Sequence, residues 1–253
     1  MKIGIIGAGS IGGTLTRRLT ALGHDVAVAN SRGPETLADL AAETGATAES
    51  PSGAVRDAQL VIVTIPQRGV PALPAGLFSD ARDEVVVVDT GNYYPHRDGR
   101  IEEIESGTPE SRWVESRLGH QVIKAFNNIR AAHLLELGRP AGAEGRIALP
   151  VAGDDPAAKD VVLRLVGELG FDGVDAGGLD ESWRQQPGSP VYATDLDAEG
   201  VRRALAQASP ERAADFRAPV GGAGSPAGSP ATMEAAGTVP AASRAPLASD
   251  VSG

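Results

Sequence analysis

The strongest constraint on the fold is a glycine pattern close to the amino terminus. An apolar, β-branched run over residues 1–6 leads directly into the sequence GAGSIG at residues 7–12, which has the G-x-G-x-x-G spacing of a dinucleotide-binding βαβ unit. In this pattern the first glycine makes a tight turn, the second admits a pyrophosphate, and the third lets a helix pack close to a strand. The residues of this turn that we expect to bind a cofactor are Gly7, Gly9, Ser10, Ile11 and Gly12.

The residues that follow the glycines support this interpretation. Leu15, Leu19 and Leu22 recur at helical spacing, Gly23 can end the helix, and a second strand is predicted from Asp25. A plain glycine-rich βα turn that binds no cofactor is the alternative.

The end of the second strand indicates which cofactor is bound. An NAD site usually has Asp or Glu at this point to hold the ribose 2′-hydroxyl, whereas this chain has Asn30, Ser31 and Arg32. A guanidinium can pair with a 2′-phosphate in bidentate fashion, and a serine hydroxyl can add a hydrogen bond. The sequence therefore favours NADP(H) over NAD(H), with an ordinary exposed loop arginine as the alternative for Arg32.

Alternating strand and helix patterns continue along the chain. Short apolar runs predict further strands at residues 46–48, 60–65, 84–88 and 121–126. A second unit follows, with strands at 146–152 and 172–174 around a helix that starts near Pro156. This βαβ order predicts the α/β class, a doubly wound Rossmann-type parallel sheet that binds ligands at the carboxyl ends of its strands.

We predict three parts of the chain. Residues 1–180 form the NADP-binding Rossmann domain, and residues 181–218 form a C-terminal helical extension with a helix near 197–208. Residues 219–253 are rich in Gly, Pro, Ala and Ser, and such a segment buries too little apolar surface to offset its ordering entropy. We expect this segment to be a disordered tail.

Composition excludes several other classes of function. The net charge of -10 argues against a nucleic-acid partner, which needs a basic surface. No cysteine is present, and the four histidines have no zinc-binding spacing, so we expect no metal site. No apolar run reaches the length of a membrane span. We therefore expect a cytoplasmic protein with a small-molecule hydride acceptor and no membrane partner.

The loops that follow the predicted strands supply the remaining candidates. Thr64, Ile65 and Pro66 are expected to flank the sugars of the cofactor, although a proline that simply ends a strand is the alternative. Asn92 and Tyr93 could position a nicotinamide or a flat acceptor, or belong to a structural loop with buried tyrosines.

Asn127 follows the next predicted strand at the same edge of the sheet. Its amide could hydrogen-bond a carboxamide, or cap the helix that follows. Asn92, Tyr93 and Asn127 are therefore ring-positioning candidates rather than assigned catalytic residues.

Few residues offer acid–base chemistry. No Tyr-x-x-x-Lys spacing and no nucleophile elbow occur, and no carboxylate partner is evident for His96, His120 or His133. Hydride exchange between two rings needs chiefly their placement face to face, so this inventory fits such a reaction. Because no long helical domain follows the second unit, we expect an open substrate side or one completed by a second subunit in a homodimer.

The combination of motifs resembles one family. The glycine turn, Asn30-Ser31-Arg32, Val63-Thr64-Ile65-Pro66, Lys124-Ala125-Phe126-Asn127 and the segment from Val151 to Gly177 together resemble the NADPH-dependent deazaflavin reductases, which act on coenzyme factor 420. The resemblance covers about residues 1–180. It implies reversible hydride transfer between NADP(H) and a deazaflavin, with Ser31 and Arg32 on the 2′-phosphate.

Two other functions stay open at this point. The loop over residues 89–95, together with residues 124–127, also looks like the reductase domains of ferric reductases, which pass hydride to a flavin. A non-catalytic NADPH-binding sensor is the third possibility, because the catalytic inventory is small and a long tail is expected.

Overall fold

Six parallel strands form the main sheet, in the order β3-β2-β1-β4-β5-β6. The strands are β1 Lys2–Ile6, β2 Asp25–Ala29, β3 Thr47–Glu49, β4 Leu60–Val63, β5 Val86–Asp89 and β6 Ile123–Lys124. This order is that of the doubly wound Rossmann fold. The predicted fold class is confirmed.

Residues 1–79 and 81–219 are described by this computed structural model. The predicted disordered tail over 219–253 therefore lies almost wholly outside the described residues. Residues 1–218 belong to one compact unit, which includes the predicted extension at 181–218.

Helices cover both faces of the main sheet. The helices within or next to it are α1 Ser10–Ala21, α2 Ala38–Thr44, α3 Pro51–Val55, α4 Pro95–Asp98, α5 Glu102–Glu105, α6 Glu110–Leu118 and α7 Ala131–Glu136. Two 3₁₀ turns, Pro34–Leu37 and Gln67–Ala72, complete the connections. The strands are buried on both faces, and all four residues of β4 are inaccessible or nearly so, as expected of a sheet with helices on either side.

A second, smaller parallel sheet contains β7 Ala148–Val151 and β8 Asp172–Asp175, joined by helix α8 Pro156–Glu168. A 3₁₀ segment, Leu179–Gln185, and helix α9 Ala198–Ala206 follow, and a short 3₁₀ turn covers Ala214–Phe216. The two sheets meet where Lys124 and Ala152 exchange two backbone hydrogen bonds, of 2.8 and 3.0 Å.

Several predicted boundaries differ from the structure. The strand expected over 121–126 pairs with β5 only at Ile123–Lys124, since Lys124 already bridges to Ala152 of the second sheet and Phe126 adopts a φ of 61°. Helices α4, α5 and α6 between β5 and β6 were not predicted. These helices are short and polar, and their apolar residues recur too rarely to give a helical pattern.

Candidate functional site

Strand register brings the loop residues into one row. Ile6 at the end of β1 pairs with Ala29 of β2 and with Val63 of β4, and Val63 in turn pairs with Asp89 of β5. The residues after these strands therefore start at the same edge of the sheet. Since the sheet order reverses between β1 and β4, this edge has the crevice in which doubly wound folds bind ligands.

The glycine turn between β1 and α1 has no room for a side chain at Gly7 or Gly12. Gly7 has a φ of 110°, which favours glycine, and its amide donates to the carbonyl of Ala29 at 2.8 Å. A Cβ on Gly12 would lie 1.8 Å from the Gly7 carbonyl oxygen, whereas a Cβ on Gly9 would meet nothing within 4 Å. The turn thus packs tightly at Gly7 and Gly12 and opens at Gly9.

The amino terminus of α1 opens at the same place. Gly9 is its cap residue, no side chain caps the helix, and no acidic residue occupies the first turn. Ser10 is exposed and Ile11 is half-buried at the start of the helix. Uncapped N–H groups and the positive end of the helix dipole suit a phosphate or pyrophosphate.

A structured turn presents Ser31 and Arg32. The Asn30 side chain accepts a hydrogen bond from the Arg32 amide at 2.8 Å and donates one to the Thr36 hydroxyl at 2.8 Å. Ser31 and Arg32 are exposed, and within residues 1–79 and 81–219 neither side chain has a hydrogen bond or an ion pair. Asn30 therefore shapes the turn and leaves the hydroxyl and the guanidinium available to an anionic group.

These parts surround one cavity of about 760 Å³, a size within the usual range for cofactor sites. Its walls include every sequence-predicted cofactor residue except Ser10, Ile11 and Gly12 of helix α1. The residues concerned are Gly7, Gly9, Asn30, Ser31, Arg32, Thr64, Ile65 and Pro66. The cavity thus brings Gly9 at the open end of α1 together with Ser31 and Arg32 after β2, a set of donors that suits a dinucleotide.

Asn92 and Asn127 lie together at the ends of β5 and β6. The Asn127 amide donates to Asn92 Oδ1 at 3.0 Å and to the Gln185 carbonyl at 2.6 Å, and its oxygen accepts from Gln185 Nε2 at 2.9 Å. Asn127 does not cap the next helix, because α7 begins at Ala131 after Arg130. Gln185 was not expected from the sequence, since it lies 58 residues beyond Asn127.

Tyr93 lies inside the protein. Its side chain is 0% exposed and belongs to a cluster with Val70, Ile104 and Trp113, and burial raises the pKa of its phenol to about 12. The phenol donates to the Gly99 carbonyl at 3.0 Å. This placement differs from the prediction that Tyr93 faces a bound ring, because its own ring has no exposed surface.

A buried ion pair supports the loop after β5. Lys124 and Asp89 pair in register on neighbouring strands, with Nζ 3.1 Å from Oδ2 and exposures of 1% and 2%. Asp89 also accepts from the Ser111 hydroxyl at 2.7 Å and from the Gly91 amide at 2.8 Å. We did not predict this pair, although a charged residue at the end of each of two apolar strands is the signal that could have revealed it.

One prediction about the histidines is wrong. His133 has a carboxylate partner, since its Nδ1 lies 2.8 Å from Oδ1 of Asp195. His133 is on α7, which packs against α1.

Within residues 1–79 and 81–219 no helix is long and apolar enough to cross a membrane.

The fold and the cavity define a dinucleotide-binding protein of the Rossmann type, with an arginine in place of the carboxylate typical of NAD sites. Residues 2–93 match the family described as NADP oxidoreductase coenzyme F420-dependent. The chain belongs to this family of NADP-dependent oxidoreductases.

Comparison with known proteins agrees with this membership. A hypothetical protein of Sinorhizobium meliloti has 30% sequence identity and a TM-score of 0.65, over 78% of this chain and 95% of that chain. A protein of Arthrobacter sp. FB24, named as a candidate F420-dependent NADP-reductase, has 24% identity and a TM-score of 0.60, over 71% of this chain and 86% of its own, and shows the shared fold.

The Escherichia coli protein YjhV is 50% identical over 66 residues, which are 26% of this chain and 48% of YjhV. The present chain thus matches about half the length of that curated relative.

Proposed function

We propose that this protein transfers a hydride between NADP(H) and a deazaflavin of the coenzyme factor 420 type. The observation that carries the proposal is the Asn30 turn, which holds Ser31 and Arg32 exposed beside the cavity with no carboxylate in the place that NAD sites use. Membership of the family supports the deazaflavin as hydride partner.

The residues of the cavity would divide the work of holding NADP(H). Gly7, Gly9 and the start of α1 would receive the pyrophosphate, and Ser31 and Arg32 the 2′-phosphate. Thr64, Ile65 and Pro66 would line the path towards the nicotinamide. The glycine turn fits this group, because a Cβ at Gly7 or Gly12 would collide with backbone while Gly9 leaves open space.

NADPH supplies the hydride: the C4–H bond of its nicotinamide breaks, a C–H bond forms at a ring carbon of the acceptor, and NADP⁺ remains. The protein has to bring the two rings face to face and exclude water between them. Asn92 and Asn127 hydrogen-bond to each other, and Gln185 anchors Asn127. Both asparagines lie at the strand ends where the ring pair would stack.

Arg32→Ala tests the choice of cofactor. We expect the Kd for NADPH to rise about 10- to 100-fold, because a charge-assisted hydrogen bond is lost, while the Kd for NADH stays constant. Arg164→Ala, on an exposed part of α8, is the matched control for loss of one positive charge. An equal loss of NADH affinity, or no loss of NADPH affinity, would contradict the assignment; both constants can be measured by fluorescence titration.

Turnover tests the choice of acceptor. The purified protein is mixed with NADPH and oxidised coenzyme factor 420, and the visible absorbance of the deazaflavin is followed, with FMN in a parallel cuvette. Bleaching of the deazaflavin alone supports the proposal. Turnover of FMN alone would instead indicate a flavin or ferric reductase, and binding of NADPH without any turnover would favour a sensor.

A further inference from the structure

Two tyrosine hydroxyls that are 98 residues apart in the sequence meet above the carboxyl ends of β5 and β6. Tyr94 and Tyr192 are hydrogen-bonded to each other through their phenol oxygens. The Phe216 ring lies beside both, with centroid distances of 6.1 Å to Tyr94 and 6.3 Å to Tyr192. All three side chains are partly exposed, so this aromatic cluster has surface left for a ligand.

The loop that carries Tyr94 is joined to the wall of the cofactor cavity. Arg68, which lines the cavity, donates to the carbonyl of Arg97 at 2.9 Å. The Arg97 guanidinium in turn donates to the Asn92 carbonyl at 2.6 Å and lies 4.8 Å from the centre of the Tyr94 ring. Arg97 therefore contacts both Asn92 and Tyr94 and links them to the cavity wall.

The segment that carries Tyr192 is joined to the loop after β6. The Ala193 amide donates to the Asn128 carbonyl at 2.8 Å, and Ala193 adopts a φ of 55° to make this contact. The hydroxyl pair thus spans the ends of β5 and β6. The proposed function places the adenosine half of NADP(H) beside β2, so these strand ends are on the side where the nicotinamide and the acceptor ring would lie.

The arrangement has one proton donor to spare. Two phenols carry two protons, and one of these forms the hydrogen bond between the oxygens, so the other O–H can donate to a third group. Burial, followed by the contact with Tyr192, raises the pKa of Tyr94 above its ordinary value. Tyr94 therefore keeps its proton over the whole physiological pH range.

We propose that the Tyr94–Tyr192 pair binds the acceptor ring, and that its outward O–H donates a hydrogen bond to a ring oxygen or nitrogen where negative charge develops as the hydride arrives. The proton is not transferred to the ring. The hydrogen bond stabilises the transition state, because negative charge grows on the ring atom that accepts it. This inference rests on the proposed function. It adds Tyr94 and Tyr192 to Asn92 and Asn127 as residues that would contact the acceptor ring.

The chain has three tyrosines, which permits a direct test by ¹⁹F NMR on the full protein labelled with fluorotyrosine. Three signals are assigned with the Tyr→Phe variants. On addition of NADP⁺ and oxidised coenzyme factor 420 we expect the Tyr94 and Tyr192 signals to shift, while the signal of Tyr93, which is buried in the core, stays in place. If NADP⁺ binds and neither signal moves, the proposal is overturned.

Kinetics test the chemical role. Tyr94→Phe and Tyr192→Phe should each lower kcat for the deazaflavin by about threefold to tenfold, with a larger loss in the double variant and an unchanged Kd for NADPH. Trp183→Phe, a half-exposed aromatic in the same C-terminal segment, is the matched control and should retain kcat. An unchanged kcat in the double variant would overturn the role of the pair.

The two proposals fail in different ways. Turnover of the deazaflavin with an insensitive tyrosine pair would leave the proposed function intact and remove the pair from it. If the wild-type protein turns over no deazaflavin, but NADP⁺ alone shifts the Tyr94 and Tyr192 signals, the acceptor is wrong and the pair still borders the nicotinamide.

Discussion

The two halves of the crevice are built in different ways. The half beside β1 and β2 comes from one continuous stretch of chain, from Gly7 to Arg32, and depends on backbone conformation and an open helix end. The half beside β5 and β6 combines segments that are far apart in sequence, including Asn127 with Gln185 and Tyr94 with Tyr192.

Under the proposed function, the half beside β1 and β2 (the cofactor half) would recognise NADP(H), and the half beside β5 and β6 (the acceptor half) would recognise the hydride acceptor. A turn that has no room for a side chain requires glycine, and glycine is directly visible in the sequence. A cluster assembled by side-chain hydrogen bonds has no fixed spacing, so it can change without disturbing the turn. The cofactor half lies within the residues that match the family model, and under the proposed function the acceptor half is where members of such a family could differ.

The largest expected effect tests whether the acceptor half depends on its buried ion pair. Lys124→Met leaves the Asp89 carboxylate without its cation, and loss of one partner of a buried pair lowers the free energy of unfolding by about 3–5 kcal/mol. Lys2→Met is the matched control, because Lys2 pairs with Asp57 at 3.6 Å with side chains 38% and 64% exposed, and such pairs contribute about 0–1 kcal/mol.

Urea unfolding of both lysine variants measures the difference. A loss in Lys124→Met no greater than that in Lys2→Met would show that the loop after β5 does not depend on the pair. The buried ion pair would then not be what stabilises the half beside β5 and β6.

A smaller effect is expected from the glycine turn. Gly12→Ala places a Cβ against the Gly7 carbonyl and the Thr64 side chain, and such overpacking costs about 1–3 kcal/mol of unfolding free energy. Gly9→Ala meets no protein atom, so it should fold like the wild type and yet bind NADPH more weakly, because the pyrophosphate would approach there. Thermal unfolding of the two variants measures the effect on packing, and NADPH titration measures the effect on cofactor binding. Equal NADPH affinity of Gly9→Ala and the wild type would contradict the proposed path of the pyrophosphate.

The smallest effect concerns pH. The pKa of Tyr93 rises to about 12 in the folded protein, chiefly through burial, against about 10 when unfolded. Below pH 10 both states are protonated; above it the unfolded chain loses its proton first, so the stability of the folded state falls as the pH rises. Tyr93→Phe should cost about 1 kcal/mol near neutrality, and the gap to wild type should narrow at alkaline pH, as measured by urea unfolding at several pH values. A gap that widened instead would contradict burial of the phenol.

Much of the main sheet could be predicted because its strands are apolar and short. Leu60–Val63 is a continuous buried run, and Pro156 with Asp155 marks the start of α8, where the Asp155 side chain accepts from two backbone amides. The pattern was less informative for β6, in which only Ile123 and Lys124 pair with β5. An edge strand that turns after two residues leaves the same apolar sequence as a longer one.

The acceptor half could be predicted only in outline. Asn92 and Asn127 were found because they follow strands, but their mutual contact and the anchoring Gln185 were not. Tyr93 and Tyr94 are adjacent and chemically identical, and only packing decides that one is in the core and the other is partly exposed.

The sequence by itself determined the βαβ start, the glycine turn and the placement of Ser31 and Arg32 at the end of β2. These features depend on backbone sterics and on the alternation of strands and helices, which act over a few residues. Tertiary structure alone decided the Lys124–Asp89 pair, the asparagine network and the Tyr94–Tyr192 contact. These depend on distances between strands and segments, and such distances are set only when the whole core packs.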